Sequence, residues 1–338
     1  MHPHHTPSAN DRPRRGLALA ALLGASLFVA ACQSESLTAV ATEDGSSTPP
    51  VAFPVASGAA DAVRSSSRRI VRTLATLQLR GNLRGDVSGA GTVTNSPWDL
   101  TYGGGPLVTH ATSWNVYVNC ASTPASCWGT GSLTPATFLR DLNHSNIIQV
   151  ADQYVGKHAY GQFSVAELST TATFTNNVAS IDDILGIIYS ASTFANANGY
   201  TNIIHVFLPQ GTDMCIDATD CYSPDNFDTS VFCAFHGGVD FSPTQHVLFS
   251  VEPYQAVDGC AIPGQTPHGV IDATASTLSH EFFETISDPD LDSWFNFLTG
   301  NEMADLCFAF GNNERMGSHA YVIQSEYSNA IHACTDGV

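Results

Sequence analysis

The stretch Ser279-His280-Glu281-Phe282-Phe283-Glu284-Thr285-Ile286-Ser287-Asp288-Pro289-Asp290 ends a segment of helical spacing that begins at Gly269 and runs to Ile286. Asp288-Pro289 stops it, because proline cannot continue a helix and disfavours helical backbone in the residue before it. Upstream, His246-Val-Leu-Phe-Ser-Val-Glu252 and Ile203-Ile-His-Val-Phe-Leu208 are short apolar runs that read as buried strands. Ile181 to Asn198 is amphipathic, with Asp182 and Asp183 in the first turn, where the helix dipole favours acids. Thr134 to Val155 is another helical stretch, capped by Thr134, with Pro135 in its first turn and a break expected at Asn143-His144-Ser145. Asn115-Val-Tyr-Val118 reads as a strand, introduced by the glycine turn Tyr102-Gly-Gly-Gly-Pro106. Helices and strands interleaved in this way predict an α/β or α+β domain, a mixed sheet with helices packed on it.

On a helix, His280 and Glu284 are four residues apart and project from one face, within reach of a single ion. Glu281 lies about 100° further round, beside that ion and free to act as general base on a water the ion acidifies. The spacing resembles the HExxH of zinc peptidases with glutamate in place of the second histidine, and zinc accepts imidazole and carboxylate alike. The expected third ligand is Glu302. Together with Asp305 three residues on, it resembles the gluzincin arrangement, in which Asp305 would orient His280. Asp288 and Asp290 are alternative ligands; Asp290 stands at the metzincin offset, but Ser287 replaces the turn glycine of that pattern.

Two rival readings accompany this one. An isolated HExxE is as consistent with a structural histidine among helix-favouring glutamates, and what favours a metal is the density of carboxylates that follows. Asp288-Pro-Asp290-Leu-Asp292 also offers a Ca2+ loop. It is no EF-hand, because Ser293 and Thr299 stand where the glycine and the bidentate glutamate belong.

Arg12, Arg14 and Arg15 precede a charge-free apolar run, Leu17 to Phe28, too short for a comfortable membrane span. The run ends in Val29-Ala30-Ala31-Cys32, which looks like a bacterial lipobox. That resemblance implies a signal peptide over 1–31 and a lipid anchor on Cys32. With Gln33 following, it implies an exported lipoprotein held at the outer membrane or cell surface; the rival is an ordinary secretory signal with Cys32 incidental. Residues 32–67, rich in Ser, Thr, Ala, Pro and Gly, predict a flexible tether. Residues 68–94 are basic and partly apolar and predict either a packing helix or an inhibitory pro-segment, leaving 95–338 as one globular domain.

That body holds three basic residues (Arg140, Lys157 and Arg315) against 25 acidic ones, a net of −22. Such a surface repels nucleic acid and anionic headgroups, so nucleic-acid binding is excluded and membrane contact is expected through the anchor alone. Eight cysteines besides Cys32 suit disulfides in an exported chain. Close spacing favours Cys120–Cys127 and Cys215–Cys221. No GxSxG elbow occurs, so a serine hydrolase has no support. His236, His319 and Tyr321 are candidates to line a site, with structural roles the simpler reading.

Tyr102-Gly-Gly-Gly-Pro-Leu-Val108, Cys233-Ala-Phe-His-Gly-Gly238 and Cys260-Ala-Ile-Pro263 resemble the exordium or phosphate-induced family of secreted proteins, over roughly residues 100–300. Around the motif, His280-Glu281-x-x-Glu284, Asp288-Pro289, Trp294, Glu302-x-x-Asp305, Cys307 and Gln324-Ser-Glu-Tyr-Ser-Asn329 are similar to secreted bacterial and fungal proteins of zinc-peptidase type. These resemblances imply a zincin-like fold with His280 and Glu284 as ligands, Glu281 as base and a peptide or protein substrate. The alternative is a non-catalytic exordium-like surface binding protein with a structural calcium or a relic metal site.

Overall fold

A computed structural model describes residues 49–75, 96–120, 123–129, 131–156, 164–223, 230–255, 260–262, 265–308 and 310–337. The expected signal peptide, Cys32 and residues 32–48 of the expected tether lie outside the described residues. Four helices and seven strands carry the argument: β1 (Val51–Ala52), α1 (Ala59–Ser65), β2 (Ser67–Ala75), β3 (Thr112–Val118), α2 (Pro135–Leu142), β4 (Ser164–Thr170), α3 (Ile181–Ala195), β5 (Asn202–Phe207), β6 (Phe232–Ser242), β7 (Gln245–Glu252) and α4 (Val270–Ser287).

The strands form one sheet in the order β1–β4–β3–β5–β7–β6–β2. From β1 to β7 neighbours run parallel, and β6 runs against both β7 and β2. The fold is therefore the mixed sheet with packed helices that the interleaved pattern predicts. Successive strand residues face opposite sides, and the two sides bury separate cores. Ile203, Phe207 and Leu248 pack with Phe138 of α2 and Phe282 and Phe283 of α4. Ile204, Val206 and Phe249 pack with Val63 of α1 and Ile184 and Ile188 of α3. No helix among the described residues is long and apolar enough to cross a membrane.

Most local expectations hold to within a few residues. Thr134 caps α2 by accepting from the Thr137 amide, and the chain then breaks into a short 3-10 turn at Ile147–Ala151. Ser180 and Asp183 form a capping box at α3, which ends at Ala195 rather than Asn198 because Asn196 takes the left-handed conformation. β4 and β6 were not expected as strands. In β6, Phe235 and Val239 are buried on the α3 side, but Gly237-Gly238 between them breaks the β-branched pattern that marks a strand.

The N-terminal boundary differs from expectation. The tether predicted over 32–67 does not extend to its end: β1 pairs with β4, and Phe53, Ala59 and Val63 are buried. The low-complexity composition hides three anchoring side chains. Of the basic segment 68–94, Ser67–Ala75 is a strand rather than a helix, paired with β6 at the sheet edge, and residues 76–94 lie outside the described residues. The globular body thus begins before residue 95.

Four disulfides brace the body: Cys120–Cys127, Cys215–Cys221, Cys233–Cys260 and Cys307–Cys334. The first two are the pairs favoured by spacing.

Candidate metal centre

Every residue of α4 from Ile271 to Ser287 is buried. Ile271, Ala275, Leu278, Phe282, Phe283 and Ile286 account for the apolar stripe. The remaining face places His280, Glu281 and Glu284 inside the protein, where ionisable groups are costly without partners. Two elements meet that face. The first is β6, where strand alternation turns Phe235 to the opposite core and leaves His236 on the α4 side, fully buried. The second is the segment running from Glu302 into the 3-10 turn Asp305–Cys307.

The contacts are close. His280 Nε2 lies 3.1 Å from Glu284 Oε2 and 3.8 Å from Asp305 Oδ1. His236 Nδ1 lies 2.9 Å from Glu281 Oε2 and 3.6 Å from Glu284 Oε2, and its Nε2 lies 3.6 Å from Glu302 Oε1. The ligand atoms fall into two groups with members within 4.8 Å of one another: His280, Glu284 and Asp305, and His236, Glu281 and Glu284.

Gln324 decides which nitrogen of His280 faces the cluster. Its Nε2 donates to the Ala304 carbonyl at 3.0 Å, so its Oε1 is the acceptor 3.1 Å from His280 Nδ1. Nδ1 therefore carries the hydrogen, and in the neutral ring Nε2 presents a lone pair to Glu284. Two acceptors facing each other at 3.1 Å in a buried site require a cation or a proton between them. The Asp305 amide donates to Glu284 Oε1 at 3.0 Å, and Asp305 Oδ2 accepts from the Glu302 amide at 3.2 Å.

Electrostatics follow from burial. The Glu281 carboxyl is held well above the ordinary range, by desolvation first and then by Glu284, Glu252, Asp305 and Glu302. Its Oε1 is buried and accepts no hydrogen bond. Behind it lies Glu252, pushed up to about 8 by burial against the opposing bonds from Thr277 and Ser250. Ser250 also contacts His205 Nδ1 at 2.8 Å, and burial lowers His205 to about 3, so this ring is neutral.

The structure brings His280, Glu281, Glu284, Glu302 and Asp305 together. Asp305, expected to orient His280, instead groups with His280 and Glu284 as a ligand, whereas Glu302, the expected third ligand, stands against His236. The helix turn after Glu302 explains this, since it swings Asp305 back towards α4. Asp288, Asp290 and Asp292 do not converge. Asp288 Oδ1 accepts from the Ser293 amide at 2.6 Å, and Asp290 accepts from Tyr200 at 2.5 Å and lies 3.3 Å from His246 Nε2. The Asp292 carbonyl accepts from the Gly105 amide at 3.0 Å, and any side chain at residue 105 would collide with the Asp292 carboxylate. The Gly-Gly-Gly turn thus serves to dock the loop after α4. His319 Nδ1 and Tyr321 Oη both contact Asp141 of α2 at 2.7 Å, a structural junction.

The residue that sequence reasoning undervalued is His236. Its one local signal was position beside Cys233 in a glycine-rich run, and only the β6 pairing places it opposite α4. In comparisons with known proteins, no family model matches this chain, and neither a curated protein nor a solved structure does.

Proposed function

We propose that this chain is an exported, lipid-anchored, zinc-dependent hydrolase of peptidase type. The observation that carries the reading is the fixed tautomer of His280, which sets its Nε2 lone pair against Glu284 Oε2 at 3.1 Å with Asp305 alongside. An imidazole nitrogen and two carboxylates are a donor set that zinc takes. When bound, zinc would acidify a water and polarise a carbonyl.

The chain's own residues do the rest. Gln324 orients His280, and the Asp305 amide holds the second oxygen of Glu284. Glu281 Oε1, buried and without a hydrogen-bond partner, is placed to take a proton and pass it on. Phe308 stands edge-on to His280, with ring centroids 6.4 Å apart, and the full burial of His280, Glu281, Glu284 and Glu302 keeps the charges in a low-dielectric setting that strengthens their interactions.

An extended polypeptide as substrate is supported by β2, a segment of the chain itself that lies along β6 with Arg72 as the register partner of His236. It takes the place an extended peptide would take beside the site, which favours the inhibitory option for 68–94. The export and anchor reading rests on Arg12, Arg14, Arg15, the apolar run and Val29-Ala-Ala-Cys32.

The test is metal analysis and peptide hydrolysis by the full chain beside its His280→Ala and Glu281→Gln variants. Zinc retained by wild type and lost from His280→Ala, with hydrolysis abolished in both variants, is expected. Wild type that refuses zinc and holds only calcium would instead favour an exordium-like surface binding module. For the anchor, Cys32→Ser should release the protein from membranes into the soluble exported fraction.

A further inference from the structure

The two ligand groups overlap in a single residue. His280, Glu284 and Asp305 form one, His236, Glu281 and Glu284 the other, and neither contains both histidines. Glu284 Oε2 lies between the rings, 3.1 Å from His280 Nε2 and 3.6 Å from His236 Nδ1. One ion coordinated by His280, Glu284 and Asp305 leaves the His236 side of the same carboxylate unfilled.

We propose that the centre holds two divalent cations sharing Glu284, the second bound by His236 Nδ1, Glu281 Oε2 and Glu284, with Glu302 at the other nitrogen of the His236 ring. This rests on the metal-centre reading of His280 and Glu284 and extends it. Two-cation centres of hydrolases space their ions about 3.5–4 Å apart, a spacing that would let them stabilise the attacking and the leaving oxygens of a displacement. Three observations carry the second site. His236 is fully buried on a strand, and each of its ring nitrogens has a carboxylate oxygen within 3.6 Å. Glu281 is fully buried, with Oε2 turned to His236 and Oε1 accepting no hydrogen bond. With all four ionised, as cation binding would leave them, the carboxylates Glu281, Glu284, Glu302 and Asp305 carry a formal charge of −4, which two divalent cations match and one does not. Glu281 then has two duties on two oxygens: Oε2 binds the second cation and Oε1 keeps its place as proton acceptor.

The experiment is a zinc titration of the metal-free full chain against a chromophoric chelator, with His236→Gln and His280→Gln alongside. Two equivalents in wild type and one in His236→Gln are expected. One equivalent in wild type, lost from His280→Gln and kept by His236→Gln, overturns the second site while leaving the hydrolase reading intact. No zinc in wild type overturns both, and two equivalents kept by His236→Gln overturn the assignment of His236. A measurement on wild type alone guards against a variant that fails to fold. Loaded with two equivalents of Mn2+, the protein should give a spin-coupled resonance signal, and the hyperfine pattern of isolated Mn2+ at that loading would overturn the proposal.

Discussion

His280 and Gln324 are 44 residues apart in the chain, yet Nδ1 of the first meets Oε1 of the second at 3.1 Å. The bond joins α4 to the strand His319–Gln324, and the amide is itself held by the Ala304 carbonyl. Removing such a partner lets a ligating ring turn and change tautomer. Gln324→Leu should keep the fold and weaken zinc binding by about 10–100-fold. Chelator competition measures this, and an unchanged zinc affinity would show that His280 is held by other means.

The edge strand β2 supplies the second prediction. Adjacent prolines at Val71 and Arg72 remove a ladder donor whichever of the two amides faces β6. If β2 restrains access to the site, the Val71→Pro/Arg72→Pro double variant hydrolyses peptides several-fold faster than wild type. Loss of protection in β6 by hydrogen exchange would verify that the strand has left. Faster exchange with no gain in hydrolysis would mean that β2 is structural.

Glu252 predicts a pH dependence. Its carboxyl, at about 8 when folded against 4.5 ordinarily, holds a proton that the unfolded chain releases. Its effect on stability is absent below about 4.5, grows as pH rises and levels off above about 8. Glu252→Gln mimics the protonated acid: its carbonyl accepts from one of the two hydroxyls of Ser250 and Thr277, and its amide donates to the other. It should therefore raise stability by a few kcal/mol at pH 8–9 and leave it unchanged near pH 4. Denaturant melts at the two pH values decide the matter.

The disulfide Cys307–Cys334 closes a loop of sequence separation 27 immediately after Asp305. Loop-closure entropy assigns it about 3.5 kcal/mol. Cys307→Ser/Cys334→Ser should lose stability on that scale and bind zinc more weakly, because Asp305 loses the anchor two residues away. Stability that falls while zinc affinity stays constant would detach the disulfide from the site.

Much of the site was legible because it is local. The helix carrying His280, Glu281 and Glu284 announces itself through 3.6-residue periodicity and the Asp288-Pro289 stop, and three functional positions on one turn follow from helix geometry. That Glu302 and Asp305 exchange their expected places, Asp305 beside His280 and Glu302 beside His236, was not legible. Three residues separate them, and only the 3-10 turn that follows determines which carboxylate swings towards His280. The calcium loop looked plausible for the converse reason: alternate aspartates share a sequence rhythm, while in space each answers a different element, Ser293, His246 or the Tyr102-Gly-Gly-Gly turn.

By itself the sequence determined the interleaved helices and strands, the two short-loop disulfides, the acidic surface and the motif helix. Each of these depends on neighbours within about two turns or on composition alone. Tertiary structure decided the rest: that β1 and β2 join the sheet and Phe53, Ala59 and Val63 are buried with it, that His236 faces Glu281, and that Gln324 sets the tautomer of His280. These contacts span 44 residues or more, and they depend on the order of strands in the sheet. That order is set by which apolar faces bury one another best, a property of the whole chain that no local pattern contains.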